Sequence, residues 1–530
     1  MIQARMALLL NAHLPFVRHP EYPFFLEERW LFEALSETYL PLLRAFHRME
    51  EDHVPFHLTM SFSPTLTAML SDALLQERYR QHLDLQLELA EKEMDRNSND
   101  TQAGKLSKMY WLLYKQNQGD FNDVYQGNVL RGFSYFLKKG HLELITTAAT
   151  HAFLPLYQDY PEAVNAQLQT ALESHHRAFG RVSRGIWLPE CAYYPGLEHL
   201  LKRNKIDYFF ASAHAVLNAR DFPERGVFAP LSLPNGVLAF PRDMLSSNAI
   251  WSHQEGYPSH PVYRDFYRDI GFDLEDDYLR PYMQGVDGRL ATGFKYHAVT
   301  GRTDEKKLYD AELAHGQVKQ HAAAFIADRV AHARQLDEAG LDTDPLIVCP
   351  FAAELFGHWW FEGTSWIEQF FRQLASSQAP LTLVTPSEVL PEAAQFQQTE
   401  LSFSSWGSGG YAEAWLDGSN DWICRHAFQL VERMAELVER FPEVQGRKQR
   451  ALNQAAREVL LAQASDWPLI LKMGTTAQYA ERRVKEHIAN FTRIYESLSS
   501  NTMDTEWLTS LEKKDNLFPD LDYRVFRRHR

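Results

Sequence analysis

Seven apolar runs, each only four or five residues long, constrain this chain more than any other feature. They lie at residues 6–10, 56–60, 142–146, 185–188, 207–211, 346–349 and 381–384. Short, near-continuous runs with β-branched and aromatic residues mark strands buried on both faces, as in parallel sheets. Helical periodicity separates several of them, most clearly over 161–178 and 309–339. Alternating strands and helices predict a β/α barrel or a doubly wound sheet. In such folds the chemistry gathers at the carboxyl ends of the strands.

Two stretches break the alternation. Residues 71–140 are mostly helical, with a polar break at Asn97-Ser98-Asn99-Asp100, and read as an inserted subdomain. Residues 223–284 are loop-rich, with scattered Pro, Gly and aromatic residues. The strand signal ends near Pro391. Beyond it Ile423, Phe428, Val431, Met434, Leu437 and Val438 form a helical stripe, continued over 448–463 and 477–498. The chain of 530 residues is therefore expected to divide at 395/396 into a strand-bearing domain and a helical one.

The net charge of −15 makes nucleic acid and anionic membrane surfaces poor partners. No uninterrupted apolar stretch reaches the roughly 18 residues of a membrane helix. Residues 1–5 run straight into the first strand without a small-residue cleavage site, so a cytoplasmic location is expected. Cys191, Cys349 and Cys424 are odd in number and far apart, which fits a reducing compartment. Aromatic residues make up 13%, a mild pointer to carbohydrate, whose C–H faces stack on rings.

Polar clusters stand immediately after the strand candidates. They are Asn11-Ala12-His13-Leu14-Pro15, Thr150-His151-Ala152-Phe153, Trp187-Leu188-Pro189-Glu190-Cys191, and Pro350-Phe351-Ala352-Ala353-Glu354-Leu355-Phe356-Gly357-His358-Trp359-Trp360. His, Glu and Trp converging from several strand ends is the pattern of a barrel-mouth active site. No His-Glu-x-x-His or Cys-x-x-Cys spacing is present, so neither a metal nor another cofactor is expected.

Together with Gly293-Phe294-Lys295-Tyr296-His297, Ser405-Trp406-Gly407 and Ser465-Asp466-Trp467, these strings resemble glycoside hydrolase family 57, in particular its branching-enzyme and AmyC-like members. The resemblance runs from the first strand to the C-terminus. It implies a distorted (β/α)7 barrel over residues 1–395, with the insertions near 71–140 and 223–284. It also implies a C-terminal helical domain, residues 396–530, that contributes to the cleft. The implied activity is retaining chemistry on α-1,4-glucans such as glycogen, amylose or maltodextrin, by a monomer or small homo-oligomer.

Retention needs two carboxyl groups about 5–5.5 Å apart, one a nucleophile and the other an acid/base. Glu190 matches the family nucleophile; read without the resemblance, it is a buried hydrogen-bonded carboxylate. Where relatives carry the acid/base Asp, this chain has Ala352, which has no proton to give. Glu354 points to the same side of an extended segment, but its Cα lies about 7 Å further along, so it is not expected to substitute. Asn11 is a second departure, at a usual His. The intact surroundings suit an engineered inactivation, whereas two altered positions suit natural divergence.

The resemblance further assigns His13, His151, Glu354, His358 and Trp359 to the glucose-binding site. It also assigns Trp30, Trp251, Trp406 and Trp415 to the groove, and Asp466 as a polar contribution from the helical domain. The plainer alternatives are structural hydrogen bonds for the histidines, core anchoring for the tryptophans and a helix N-cap for Asp466. Branching-type transglycosylation is the expected activity, and loss of the acid/base predicts strong impairment. Segment 213–236 is short and has no tyrosine, which resembles the AmyC-like members and favours substantial hydrolysis. An AmyC-like amylase that only hydrolyses and a non-catalytic glucan-binding protein are the alternatives. A metal-dependent deacetylase on a similar barrel is a third.

Overall fold

The computed structural model describes residues 3–252, 255–284, 288–341 and 343–528. Its centre is a sheet whose strands run β1 (Ala4–Ala12), β2 (Leu58–Phe62), β3 (Leu142–Thr146), β4 (Gly185–Ile186), β5 (Tyr208–Ala211), β6 (Leu231–Ser232), β7 (Leu238–Pro241), β8 (Leu346–Ala352) and β9 (Leu381–Leu383). The spatial order is β6-β7-β5-β4-β3-β2-β1-β8, with β9 beside the start of β1. All pairs are parallel except β6 with β7.

A parallel bridge from Arg242, just after β7, to Val348 in β8 closes the path between those two strands. The Asp243 N–H donates to Val348 O at 2.9 Å beside it. Seven parallel strands thus follow one another around the sheet: β1, β2, β3, β4, β5, β7 and β8. The fold is the expected distorted (β/α)7 barrel with helices outside and a helical C-terminal region.

Six of the seven apolar runs fall on this ring, with shifted ends. The run at 381–384 becomes β9, which pairs with Ala4–Met6 at the base of β1. The seventh ring strand is β7, inside the stretch read as loop-rich. Its apolar residues lie between Gly236 and Pro241, punctuation that reads as loop in the sequence.

Helices Ala73–Arg96, Thr101–Gly119 and Leu130–Lys139 occupy the expected insertion. The break between the first two is set by Asp100, whose carboxylate accepts from the N–H groups of Gln102 and Ala103 at 2.9 and 2.8 Å. C-terminal helices Asp421–Arg440, Arg447–Ala462 and Ala477–Ser500 bury Val431, Met434, Leu452, Val459, Val484 and Phe491 in one core. Gln167, on the helix after β3, ties this block to the barrel by donating to Thr150 Oγ1 and Gln463 Oε1 at 2.8 and 2.9 Å. No helix among the described residues is long and apolar enough to cross a membrane.

Candidate active site

Four ring strands end in the predicted polar clusters, and their backbones turn sharply there. His151, Glu190 and Cys191 have φ of 55°, 61° and 50°. Left-handed backbone at a non-glycine residue costs about 1–3 kcal/mol and survives only where the surroundings enforce it. At Glu190 two features do so. Cys191 N–H donates to Leu188 O at 2.8 Å, closing a tight turn after β4. Tyr193 and Ser404 exchange backbone hydrogen bonds of 3.0 and 3.1 Å, which docks the 404–411 loop against that turn.

The docked loop brings Trp406 to Glu190. Its N–H donates to Glu190 O at 2.9 Å and its indole Nε1–H to Glu190 Oε2 at 2.8 Å. From the opposite side Ser465 Oγ lies 2.9 Å from Glu190 Oε1. A carboxylate held by one donor on each oxygen has its orientation fixed. Burial pushes the Glu190 pKa up, and the donors Trp406 and Ser465 pull it part of the way back, leaving it above the ordinary carboxylate value.

Two histidines flank the carboxylate. His13, just after β1, and His151, after β3, stack with ring centroids 3.7 Å apart and planes 8° from parallel. His13 Nε2 lies 3.1 Å from both oxygens of Asp466. Burial opposes its charge, yet Asp466, with Glu190 and Glu354 nearby, holds the His13 pKa above its ordinary value. His151 Nδ1 lies 3.0 Å from Ser465 Oγ and 3.6 Å from Glu190 Oε1. Burial, then the neighbouring His13, push the His151 pKa well below its ordinary value, so this ring is neutral.

Asp466 opens helix Asp466–Met473, but its carboxylate turns to His13 and makes no side-chain cap. The N-cap alternative therefore does not describe it.

Glu354 is also occupied. It accepts from the His13 N–H at 3.1 Å and from the Tyr39 hydroxyl. Burial raises its pKa. Tyr39 and Glu37 both lie on a widened helical turn, Leu35–Tyr39, and Glu37 holds His358 Nδ1 at 2.8 Å. Such π-type turns recur at functional sites because they re-aim side chains.

Ala352 ends β8 and is only partly buried. In the β1–β8 register it lies directly beside Asn11, whose Oδ1 accepts from Ser61 Oγ at 2.6 Å. The two positions read from the sequence as departures from the family pattern are thus neighbours in space. The two other carboxylates of this cluster, Asp466 and Glu354, are both committed to other partners.

The predicted aromatic residues separate into different environments. Trp359 is 53% exposed and backed by Phe266 at 4.3 Å, an available flat face. Trp30 is partly buried and stands edge-on to Tyr479. Trp251 is partly buried and stands edge-on to Trp406. Trp406 is wedged against Trp187 at 4.8 Å and acts first on Glu190 through its N–H, rather than only as a sugar platform. Trp415 corrects the groove expectation: it is 2% exposed, stacked on Phe153 at 4.5 Å, and packs under the backbone of Gly407. A sugar would need a face that Trp415 does not offer.

Sequence reasoning missed Ser465 and Tyr39. Ser465 precedes Asp466 in the Ser465-Asp466-Trp467 motif, a signal the sequence does carry. Tyr39 sits inside a helical stretch with nothing to mark it.

The family model for Glycosyl hydrolase family 57 matches residues 7–402 of this chain. The chain belongs to that family. A second model, the C-terminal region of 1,4-alpha-glucan branching enzymes, matches residues 426–526. The crystal structure of the alpha-amylase AmyC from Thermotoga maritima is 43% identical, with full coverage of both chains and a TM-score of 0.92. A branching enzyme from Pyrococcus horikoshii is 30% identical over 100% of this chain and 98% of its own, with a TM-score of 0.88. The 1,4-alpha-glucan branching enzyme of Thermococcus kodakarensis is 29% identical over 97% of this chain and 77% of its own length.

Proposed function

We propose that this family 57 member acts on α-1,4-glucans, with Glu190 as the nucleophile of a retaining, branching-type reaction. The observation that carries the reading is the Glu190 carboxylate, fixed at a strand end by Trp406 and Ser465 on a strained backbone. In the first step a Glu190 oxygen bonds to the anomeric carbon, and the glycosidic C–O bond breaks with its electron pair leaving on oxygen. That oxygen then needs a proton. Ala352 supplies none, and Glu354 and Asp466 are held by Tyr39 and His13. Turnover of unactivated glucan is accordingly slow. Transfer to a glucose 6-hydroxyl gives an α-1,6 branch, and transfer to water gives hydrolysis. The high identity to AmyC and the short 213–236 segment, tied to the Trp406 loop by His214 Nε2 at 2.5 Å from Gly410 O, support a large hydrolytic share.

In the same reading His13, His151, His358 and Trp359 line the bound glucan, with Trp30 and Trp251 along the groove. Residues 396–530 form a helical domain that closes the cleft through Asp466.

The decisive comparison is the parent chain against Ala352→Asp on amylose, followed by reducing ends and by proton NMR of α-1,6 linkages. A gain of about 10² or more supports the assignment, since acid/base catalysis is worth about 10²–10⁴. A second reading, glucan binding without turnover, is favoured by one observation: Asn11 and Ala352 are register partners, so one corner of the site has changed as a unit. Two silent chains that still bind amylose would decide for it.

A further inference from the structure

Ser465 is 1% exposed and its oxygen sits between two groups that compete for one hydrogen. Glu190 Oε1 is 2.9 Å away and His151 Nδ1 is 3.0 Å away. A hydroxyl carries one hydrogen, an ionised carboxylate only accepts, and a neutral imidazole has one donor and one acceptor nitrogen. If the Ser465 hydrogen went to His151, two oxygens at 2.9 Å would face each other with no hydrogen between them. His151 Nε2 would then also be a buried donor with no partner among the described residues. With Glu190 ionised, as a nucleophile must be, only one arrangement satisfies both short contacts. Ser465 donates to Glu190 and accepts from His151 Nδ1–H.

The backbone sets this arrangement independently of the hydroxyl. Ala152 and Ala464 form an antiparallel bridge, and the Ser465 N–H donates to His151 O at 3.1 Å. The C-terminal helices therefore press Ser465 against the strand-end histidine through main-chain bonds.

We propose that Ser465 is a positioning residue of the catalytic centre, which orients the Glu190 carboxylate and fixes His151 in its Nδ1–H tautomer. The same hydrogen-bond chain leaves His151 Nε2 as a bare, buried acceptor stacked under His13. The functional half of this assignment rests on Glu190 being the nucleophile; the tautomer rests only on its being ionised.

The test uses the full chain with ring-¹⁵N histidine. Two-bond proton–nitrogen spectra read which ring nitrogen carries the hydrogen, and a His151→Gln variant identifies the His151 signals. The expected result is Nδ1–H in the parent, loss of that preference in Ser465→Ala, and its return in Ser465→Thr. An Nε2–H ring in the parent overturns the proposal, as does an unchanged Nδ1–H ring in Ser465→Ala. If the Ala variant fails to fold, the parent tautomer alone decides.

A second readout is covalent labelling of Glu190 by α-maltosyl fluoride, followed by intact mass. Fluoride leaves with the electron pair of the C1–F bond and needs no proton, so the absence of an acid at position 352 does not obstruct it. Ser465→Ala is expected to slow labelling about tenfold, the worth of one hydrogen bond to a charged group; an unchanged rate overturns the positioning role. If neither chain is labelled, the glycoside reading and the functional half fall together, while the spectra still decide the tautomer.

Discussion

Glu190 illustrates how many residues it takes to fix one buried carboxylate. Its backbone lies in a left-handed conformation, and each of its oxygens takes a donor from a different part of the chain. Trp406→Phe keeps the packing against Trp187 and deletes one of those donors. The expected consequence is a Glu190 pKa that rises further, because the charged form loses a hydrogen bond. The ionised fraction then falls, and α-maltosyl fluoride labelling should shift its half-maximal pH upward relative to the parent. An unshifted profile would mean that the indole N–H does not tune this group. Trp415→Phe, by contrast, alters a buried stack on Phe153 and is expected to cost stability without changing affinity for maltoheptaose. Calorimetry and denaturant melts separate the two effects.

At the scale of elements, loops and helix ends decide whether the site is assembled. The 404–411 loop passes close over Trp415 on its way to Glu190. A Cβ on Gly407 would come within 2.6 Å of the Trp415 ring, so neither group has room to give without moving the loop. Gly407→Ala is therefore expected to lift Trp406 from Glu190 and weaken labelling at least as much as Trp406→Phe, with a modest loss of thermal stability. A fully labelled Gly407→Ala chain would show that the loop has slack. Helix caps act more locally. Asp100→Ala removes two hydrogen bonds at the start of Thr101–Gly119 and should cost about 1 kcal/mol, with no effect on the site.

At the scale of the whole molecule, the helical region does two things. It delivers Ser465 and Asp466 to the barrel mouth, and it buries a charged cluster of its own. Glu458, His487 and Asp515 lie together inside the helices, with Arg483 at 3.4 Å from Asp515. Burial pushes Glu458 up to about 7 and Asp515 up to about 6. Burial, with Arg483 next, pushes His487 down to about 3, so that ring stays neutral. Raised carboxyl pKa values mean that the folded state holds protons the unfolded state has released. Stability from these groups is then full below about pH 4 and is lost as pH rises through 6 to 7. The unfolding free energy of the parent relative to Glu458→Gln should decrease between pH 5 and pH 8 in urea melts. A difference that does not change with pH would contradict the raised values.

Much of this was legible in the sequence. Six ring strands, the helical insertion and the C-terminal helices follow from local apolar pattern, because burial on both faces or on one stripe dictates that pattern residue by residue. The polar clusters after the strands placed His13, His151, Glu190 and Glu354 at one mouth, because parallel strands carry all their carboxyl ends to the same side. Strand β7 escaped, since Gly236 and Pro241 bound its apolar run inside a stretch whose Pro and Gly residues read as loop. Distance along the chain hid the rest. That Trp406 and Ser465 hold Glu190, that Tyr39 occupies Glu354, that Trp415 is core and that Asn11 abuts Ala352 all depend on contacts between segments tens to hundreds of residues apart. Sequence sets which side chains a strand end offers; only the packing of loop 404–411 and the C-terminal helices onto the barrel decides which of them meet.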